Sequence, residues 1–132
     1  MEGSTYFITF RLEKGTLNSA EVRLVLDHLK SGDPEFYDLL AAVVMPDHVH
    51  LVLRPREGVE LSRITKGIKG VAARKVNLAR GSRGSIWHNE SFDRIVRDQE
   101  DWEEKLEYIL NNPVKAELAE DGFDYPGMYV KG

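Results

Sequence analysis

Ala41-Ala42-Val43-Val44-Met45-Pro46-Asp47-His48-Val49-His50-Leu51-Val52-Leu53 organises the chain. Two apolar runs of strand length flank a Pro-Asp pair suited to a turn, which predicts an antiparallel hairpin. Side chains alternate along a strand, so His48 and His50 share one face while Val49, Leu51 and Leu53 take the other, facing a core. Two imidazoles side by side on a stiff sheet offer neutral nitrogens to a divalent ion. The same pair also suits two half-exposed residues on a solvated sheet face, and both readings stand at this point.

Working outward, Thr5 to Leu12 is rich in aromatic and β-branched residues, as a strand requires. Asn18 or Ser19 caps a helix with Val22, Val25, Leu26 and Leu29 at helical spacing, and Ser31-Gly32-Asp33-Pro34 stops it. A strand over Tyr37 to Met45 leads into the histidine strand. Leu61 to Arg80 predicts a second helix with Leu61, Ile64, Ile68, Val71, Ala72 and Leu78 on its apolar side. Gly67 and Gly70 are costly inside it, about 1 kcal/mol each against Ala. Ser91 to Arg97 alternates as a fourth strand. A third helix follows from Glu100 to Asn112, with Asp98 as its cap and Pro113 ending or bending it. The tail from Gly122 onward reads as irregular. Strand, helix, strand, strand, helix, strand and an added C-terminal helix make an α+β, ferredoxin-like split βαββαβ domain spanning 1–132. The added helix is the element free to cover the histidine face.

At 132 residues with 42% hydrophobic and 30% charged content, the chain suits one soluble domain. It has no cysteine, which excludes disulfides and thiolate metal sites. The first residues lack the pattern of a signal peptide and no apolar run reaches membrane-span length, so a cytoplasmic protein without a membrane partner is expected. The net charge of −4 hides a segregation. Arg54 to Arg97 carries eleven Lys and Arg against four Asp and Glu, a local balance of +7. One face built for polyanions is implied, although solvated helix surfaces give the same asymmetry. Lys66, Lys69, Arg74, Lys75 and Arg83 are the candidates for contacts to a nucleic-acid backbone. Trp87 suits either stacking on a base or burial under the fourth strand. His28 and His88 read as surface histidines.

On the third helix Trp102, Leu106, Ile109 and Leu110 form the apolar stripe, with Tyr108 and Asn112 one turn apart on its flank. Taken alone, Tyr108 suits packing against the sheet with its hydroxyl in water. Met45 to Leu53, Ile86-Trp87-His88 with Phe92-Asp93-Arg94, and Tyr108-Ile109-Leu110-Asn111-Asn112-Pro113-Val114-Lys115-Ala116 together resemble the single-tyrosine HUH transposases, in particular the REP-associated tyrosine branch. The likeness runs from the first strand to Ala116.

That resemblance implies the site. His48 and His50 would hold a divalent metal, usually Mg or Mn, with Asn112 completing the set. Tyr108 would be the nucleophile that cuts single-stranded DNA and becomes joined to the 5′ phosphate. Members act on DNA hairpins, and many are dimers while monomeric relatives exist in this branch, so a homodimer and a monomer both stand here. The tail departs from the family: Tyr125-Pro126-Gly127-Met128 stands where relatives carry a Tyr-Pro-Trp-Ser-like stretch. Tyr125 and Tyr129 compete with Tyr108 as nucleophile if that tail is mobile. A ferredoxin-like module that grips nucleic acid without cutting it, and a metal-binding protein of another class, are the rival readings.

Overall fold

Strand pairing puts the histidine strand at the centre of one sheet. The computed structural model describes residues 2–132. In chain order its elements are β1 (Thr5–Leu12), α1 (Ser19–Ser31), β2 (Tyr37–Val44), β3 (His48–Pro55), α2 (Leu61–Arg80), β4 (Trp87–Val96), α3 (Gln99–Lys115) and β5 (Met128–Val130). One 3-10 turn, Gly122–Asp124, precedes the last strand. The sheet order is β4-β1-β3-β2-β5, and every neighbouring pair is antiparallel. The first four strands have the expected ferredoxin-like arrangement, with β5 added beyond β2.

The sheet separates two apolar layers. Val49, Leu51 and Leu53 pack with Val25, Leu29, Ile64, Ile68 and Val76 beneath α1 and α2. Full burial of such a side chain is worth roughly 2 kcal/mol. The other face carries Phe7, Val43 and Val52, with Trp102, Leu106 and Ile109 of α3 against them. α3 therefore covers the histidine face, as the added helix was expected to do.

Local chemistry fixes the elements that carry the site. Asn18 and Glu21 form a reciprocal capping box at the start of α1. Asp98 caps α3 by accepting from the Asp101 amide at 2.8 Å, and Asp101 in turn accepts from the Arg97 amide at 3.0 Å. The Pro46-Asp47 turn is pinned from outside. Its carbonyls accept from Leu17 N at 2.6 Å and Leu12 N at 2.9 Å, and Met45 N donates to His48 O at 2.8 Å.

Four expectations need correction. The tail is ordered: β5 pairs with Ala41 to Val43 of β2, because a three-residue strand with neighbouring glycine carries too little pattern to be seen in sequence. α3 runs through Pro113 to Lys115 rather than ending at Asn112, since proline there removes one amide bond near the last turn and its ring is buried. Leu78 is 85% exposed, and Val76 instead extends the buried stripe of α2 at the i, i+4 position from Ala72. His28 is half-buried between the first two helices, with its Nε2 closed off from solvent.

Beyond the pairing of β5, the tail grips the chain close to the site at Val44 and at Leu110. Val44 donates to Gly127 O at 2.8 Å, and its carbonyl accepts from the Tyr125 hydroxyl at 2.8 Å. At Gly122 an added Cβ would lie 2.1 Å from the Leu110 carbonyl oxygen of α3, so only glycine permits this approach.

Candidate metal and nucleophile site

His48 and His50 emerge from β3 on the same face, with ring centroids 4.8 Å apart. Their surroundings differ. His48 stands at the mouth of the hairpin turn, where its Nδ1 lies 2.7 Å from Asp47 Oδ1. A carboxylate only accepts, so Nδ1 carries a proton and the lone pair of the neutral ring is left on Nε2. His50 is only 6% exposed, because α3 lies over it. It stacks on Phe7 at 5.5 Å, and its Nδ1 is 2.8 Å from Thr9 Oγ1 on the neighbouring strand. Burial, reinforced by the nearby His48 and Arg11, pushes the His50 pKa down to about 4. Its imidazole is therefore neutral at physiological pH, the form in which imidazole ligates metals.

α3 brings Tyr108 and Asn112 to these imidazoles. Tyr108 is 49% exposed, and its ring stands edge-on to His50 at 5.1 Å and to Phe7 at 6.0 Å. Asn112 Nδ2 donates to the Tyr108 carbonyl at 3.2 Å, which turns Oδ1 toward His48. Asn112 Oδ1 then lies 2.9 Å from His48 Nε2. With Nδ1 protonated toward Asp47, both facing atoms are acceptors, and only a proton or a cation reconciles them. A separation near 3 Å is also what two adjacent donors of an octahedral ion show when each ligates at about 2.1 Å. Two imidazoles and an amide oxygen, with nearby space for phosphate and water, suit Mn and are acceptable to Mg. No group of three or more His, Cys, Asp or Glu competes for a metal among the described residues.

The other tyrosines are placed elsewhere. Tyr125 is buried and its hydroxyl is spent on Val44 O. Tyr129 packs against the layer beneath α1 and α2, on the side of the sheet away from the histidines, with Lys30 over its ring at 5.4 Å.

Between α3 and β4 lies an open cleft of about 580 Å³, floored by Phe7, Thr9 and His50 and walled by Tyr108, Phe92 and Arg94. Thr9 and Asp47 act on the two imidazoles, and neither was singled out from sequence. Asp47 had a signal, since it adjoins His48. Thr9 had none, being 41 positions from His50.

The basic candidates lie on the opposite layer. Lys66 and Lys69 line a second cleft, between α2 and β4. Arg74, Lys75 and Arg83 line a recess farther along α2 that shares Gly70 and Ala73 with it. Lys66, Arg74, Lys75 and Arg83 are exposed, whereas the Lys69 ammonium donates to His88 O at 2.9 Å and Ser91 Oγ at 2.8 Å. Burial lowers the Lys69 pKa. Trp87 is buried against Phe10, with its indole N–H on Lys69 O at 3.0 Å. It is a core residue, not a stacking platform. Gly67 and Gly70 face open space, so nothing within the chain requires their small size. No helix among the described residues is long and apolar enough to cross a membrane.

Residues 27–112 match the family described as Transposase IS200 like. The chain is 26% identical over 132 residues to the REP-associated tyrosine transposase of Escherichia coli K12, an alignment covering 96% of this chain and 76% of that protein. A Haemophilus influenzae Rd protein provisionally given the same name is 26% identical over 100 residues, covering 68% of this chain and 57% of its own length. A solved structure of a REP-associated tyrosine transposase bound to a REP hairpin superposes with a TM-score of 0.75 at 25% identity, over 97% of this chain and 77% of that one.

Proposed function

This chain belongs to the IS200-like transposase family, and from that premise we propose that it cuts single-stranded or hairpin DNA and transfers the strand through Tyr108. His48, His50 and Asn112 hold a divalent metal, Mg or Mn, for the reaction. The observation that supports this reading is a single convergence. One helix sets Tyr108 5.1 Å from the His50 ring and Asn112 2.9 Å from His48.

The chemistry follows from the parts. The Tyr108 oxygen forms a bond to the scissile phosphorus as the bond from phosphorus to the 3′ oxygen breaks. The phenol proton passes to solvent, and the departing oxygen takes a proton to become a 3′ hydroxyl. A phenol, with a pKa of about 10, ionises far more readily than an aliphatic alcohol, which suits it as nucleophile. When bound, the metal supplies Lewis-acid polarisation of a phosphoryl oxygen. Asp47 and Thr9 fix the two imidazoles, and packing on Phe7 and His50 restricts where the Tyr108 ring can stand. The 5′-phosphotyrosine keeps the bond energy of the phosphodiester. A free 3′ hydroxyl can therefore attack it and rejoin strands without ATP.

The hairpin bound in the related structure supports DNA hairpins as the substrate class. Lys66, Lys69, Arg74, Lys75 and Arg83 would contact its backbone, with Lys69 the least accessible because β4 already holds its ammonium. The test is incubation with end-labelled hairpin DNA and Mg or Mn, followed by a denaturing gel. A protein–DNA adduct that disappears on chelation is expected. Binding without any adduct would leave a nucleic-acid-binding module in its place.

A further inference from the structure

One row of side chains crosses the histidine face from the centre of the sheet to its edge. His50 pairs with Thr9, and Thr9 pairs with Phe92 of β4. Adjacent strands lie about 4.8 Å apart, so Phe92 stands roughly 10 Å from His50 along this row. β4 is an edge strand. Phe92 is 61% exposed, and it belongs to neither apolar layer. Holding a phenylalanine in water has no packing explanation here.

Two cations bracket that row. Arg94 pairs with Phe7, and Arg11 pairs with His48, so both share the face of Phe92 and His50. Both are exposed, and neither guanidinium has a hydrogen-bond or ion-pair partner among the described residues. Elsewhere the arginines at Arg54, Arg56 and Arg80 are committed to carboxylates. Arg94 in the cleft wall and Arg11 opposite His48 are thus left free, beside an aromatic ring left exposed. Asp93 and Glu104 also line the cleft, and Lys105 is bound to Asp101 at 2.8 Å. The free positive charge is therefore that of the two arginines.

We propose that Phe92, Arg94 and Arg11 form the subsite for the single-stranded nucleotides that adjoin the cut, with Phe92 as a base-stacking platform and the two arginines as phosphate clamps. An exposed ring between unpaired guanidiniums is the arrangement that single strands use, a π-face for the base and charge for the backbone. The edge of β4 also joins the two clefts, since Asp93 borders both. A duplex stem against α2 would thereby continue as a single strand over Phe92 toward Tyr108. This inference rests on the strand-cutting reading above.

The test measures binding in a background that cannot cut. Fluorescence anisotropy of the full chain carrying Tyr108→Phe is read with a labelled single-stranded oligonucleotide, without added metal. Phe92→Ala should weaken binding about tenfold, within the range known for one stacked base, and Phe92→Trp should restore it. Arg94→Gln and Arg11→Gln should each flatten the dependence of log affinity on log salt by about 0.7 units, the value for one phosphate contact on a single strand. An abasic position that abolishes the effect of Phe92→Ala would identify the stacked nucleotide. Melting temperatures near that of the parent are expected, because none of the three side chains is buried. Equal affinity in Phe92→Ala with an unchanged salt slope in both arginine variants overturns the subsite, even if the wild type forms an adduct. Loss of affinity without any wild-type adduct overturns the cutting reading and keeps the subsite.

Discussion

Asn112 Oδ1 faces His48 Nε2 at 2.9 Å, although the two residues are 64 positions apart in the chain. Asp47 on one side and the Tyr108 carbonyl on the other determine which atoms face each other. Asn112→Ala removes one oxygen donor that water can replace. Asp47→Asn removes the carboxylate that fixes the imidazole tautomer. Each should weaken Mn binding by roughly tenfold in calorimetry, with the fold retained. Wild-type protein that binds no divalent ion, with or without DNA, would show the donor set to be misassigned.

Tyr108→Phe deletes a hydroxyl and keeps the packing of the ring on His50 and Phe7. Metal and DNA binding should stay within about twofold, while cutting and the covalent adduct vanish together. Peptide mapping of the wild-type adduct should place the nucleotide on Tyr108. An adduct on Tyr125 or Tyr129 would contradict both the assignment and the placement of those residues away from the histidines.

Arg74 and Lys75 are exposed on α2, away from the histidine face. Reversing both charges should lower affinity for all sequences alike and flatten the salt slope by about two units, one for each phosphate no longer neutralised. A slope equal to that of the wild type would remove this end of α2 from the interface.

Asp101 ties the head of α3 to Lys105 at 2.8 Å and to the Arg97 amide at 3.0 Å. Those two bonds, the lysine first, bring its carboxyl pKa down to about 2 in the folded chain, against about 3.9 when unfolded. A depressed folded value stabilises above the unfolded pKa, and this contribution fades as pH falls through the folded one. Asp101→Asn should therefore melt below wild type near pH 7, with the gap closing between about pH 4 and pH 2. A gap that stays constant across that window would show that charge is not the cause.

Local periodicity made much of this site legible. The i, i+2 rule put His48 and His50 on one face, and the i, i+4 rule put Tyr108 beside Asn112. Element order then sent α3 over the histidine strand. Long-range pairing hid the rest. The partnership of Thr9 with His50 depends on strand register, which two separate apolar runs do not reveal. The burial of His50 depends on how closely α3 approaches, and that in turn depends on Gly122 lying against Leu110. Phe92 and Arg94 stood within the family resemblance, yet their exposure exists only once β4 is known to be an edge. Leu78 reads as a stripe member by type, whereas the stripe is set by angle, and Val76 meets it.

The clasp of the tail on Val44 means that the site opens or closes as one unit. Tyr125 and Gly127 hold the last residue of β2 by both of its backbone groups, immediately before the turn that presents Asp47 and His48. Gly122 of the same segment leans on the helix that presents Tyr108 and Asn112. Releasing the tail thus withdraws support from the histidine turn and the tyrosine helix together. Amides in β5, at Val44 and along the second half of α3 should accordingly share one cooperative opening in hydrogen exchange, separate from the deeper opening of β1 and β3. Integrity of the whole candidate site is set by the least stable of its contacts at Tyr125, Gly127 and Gly122.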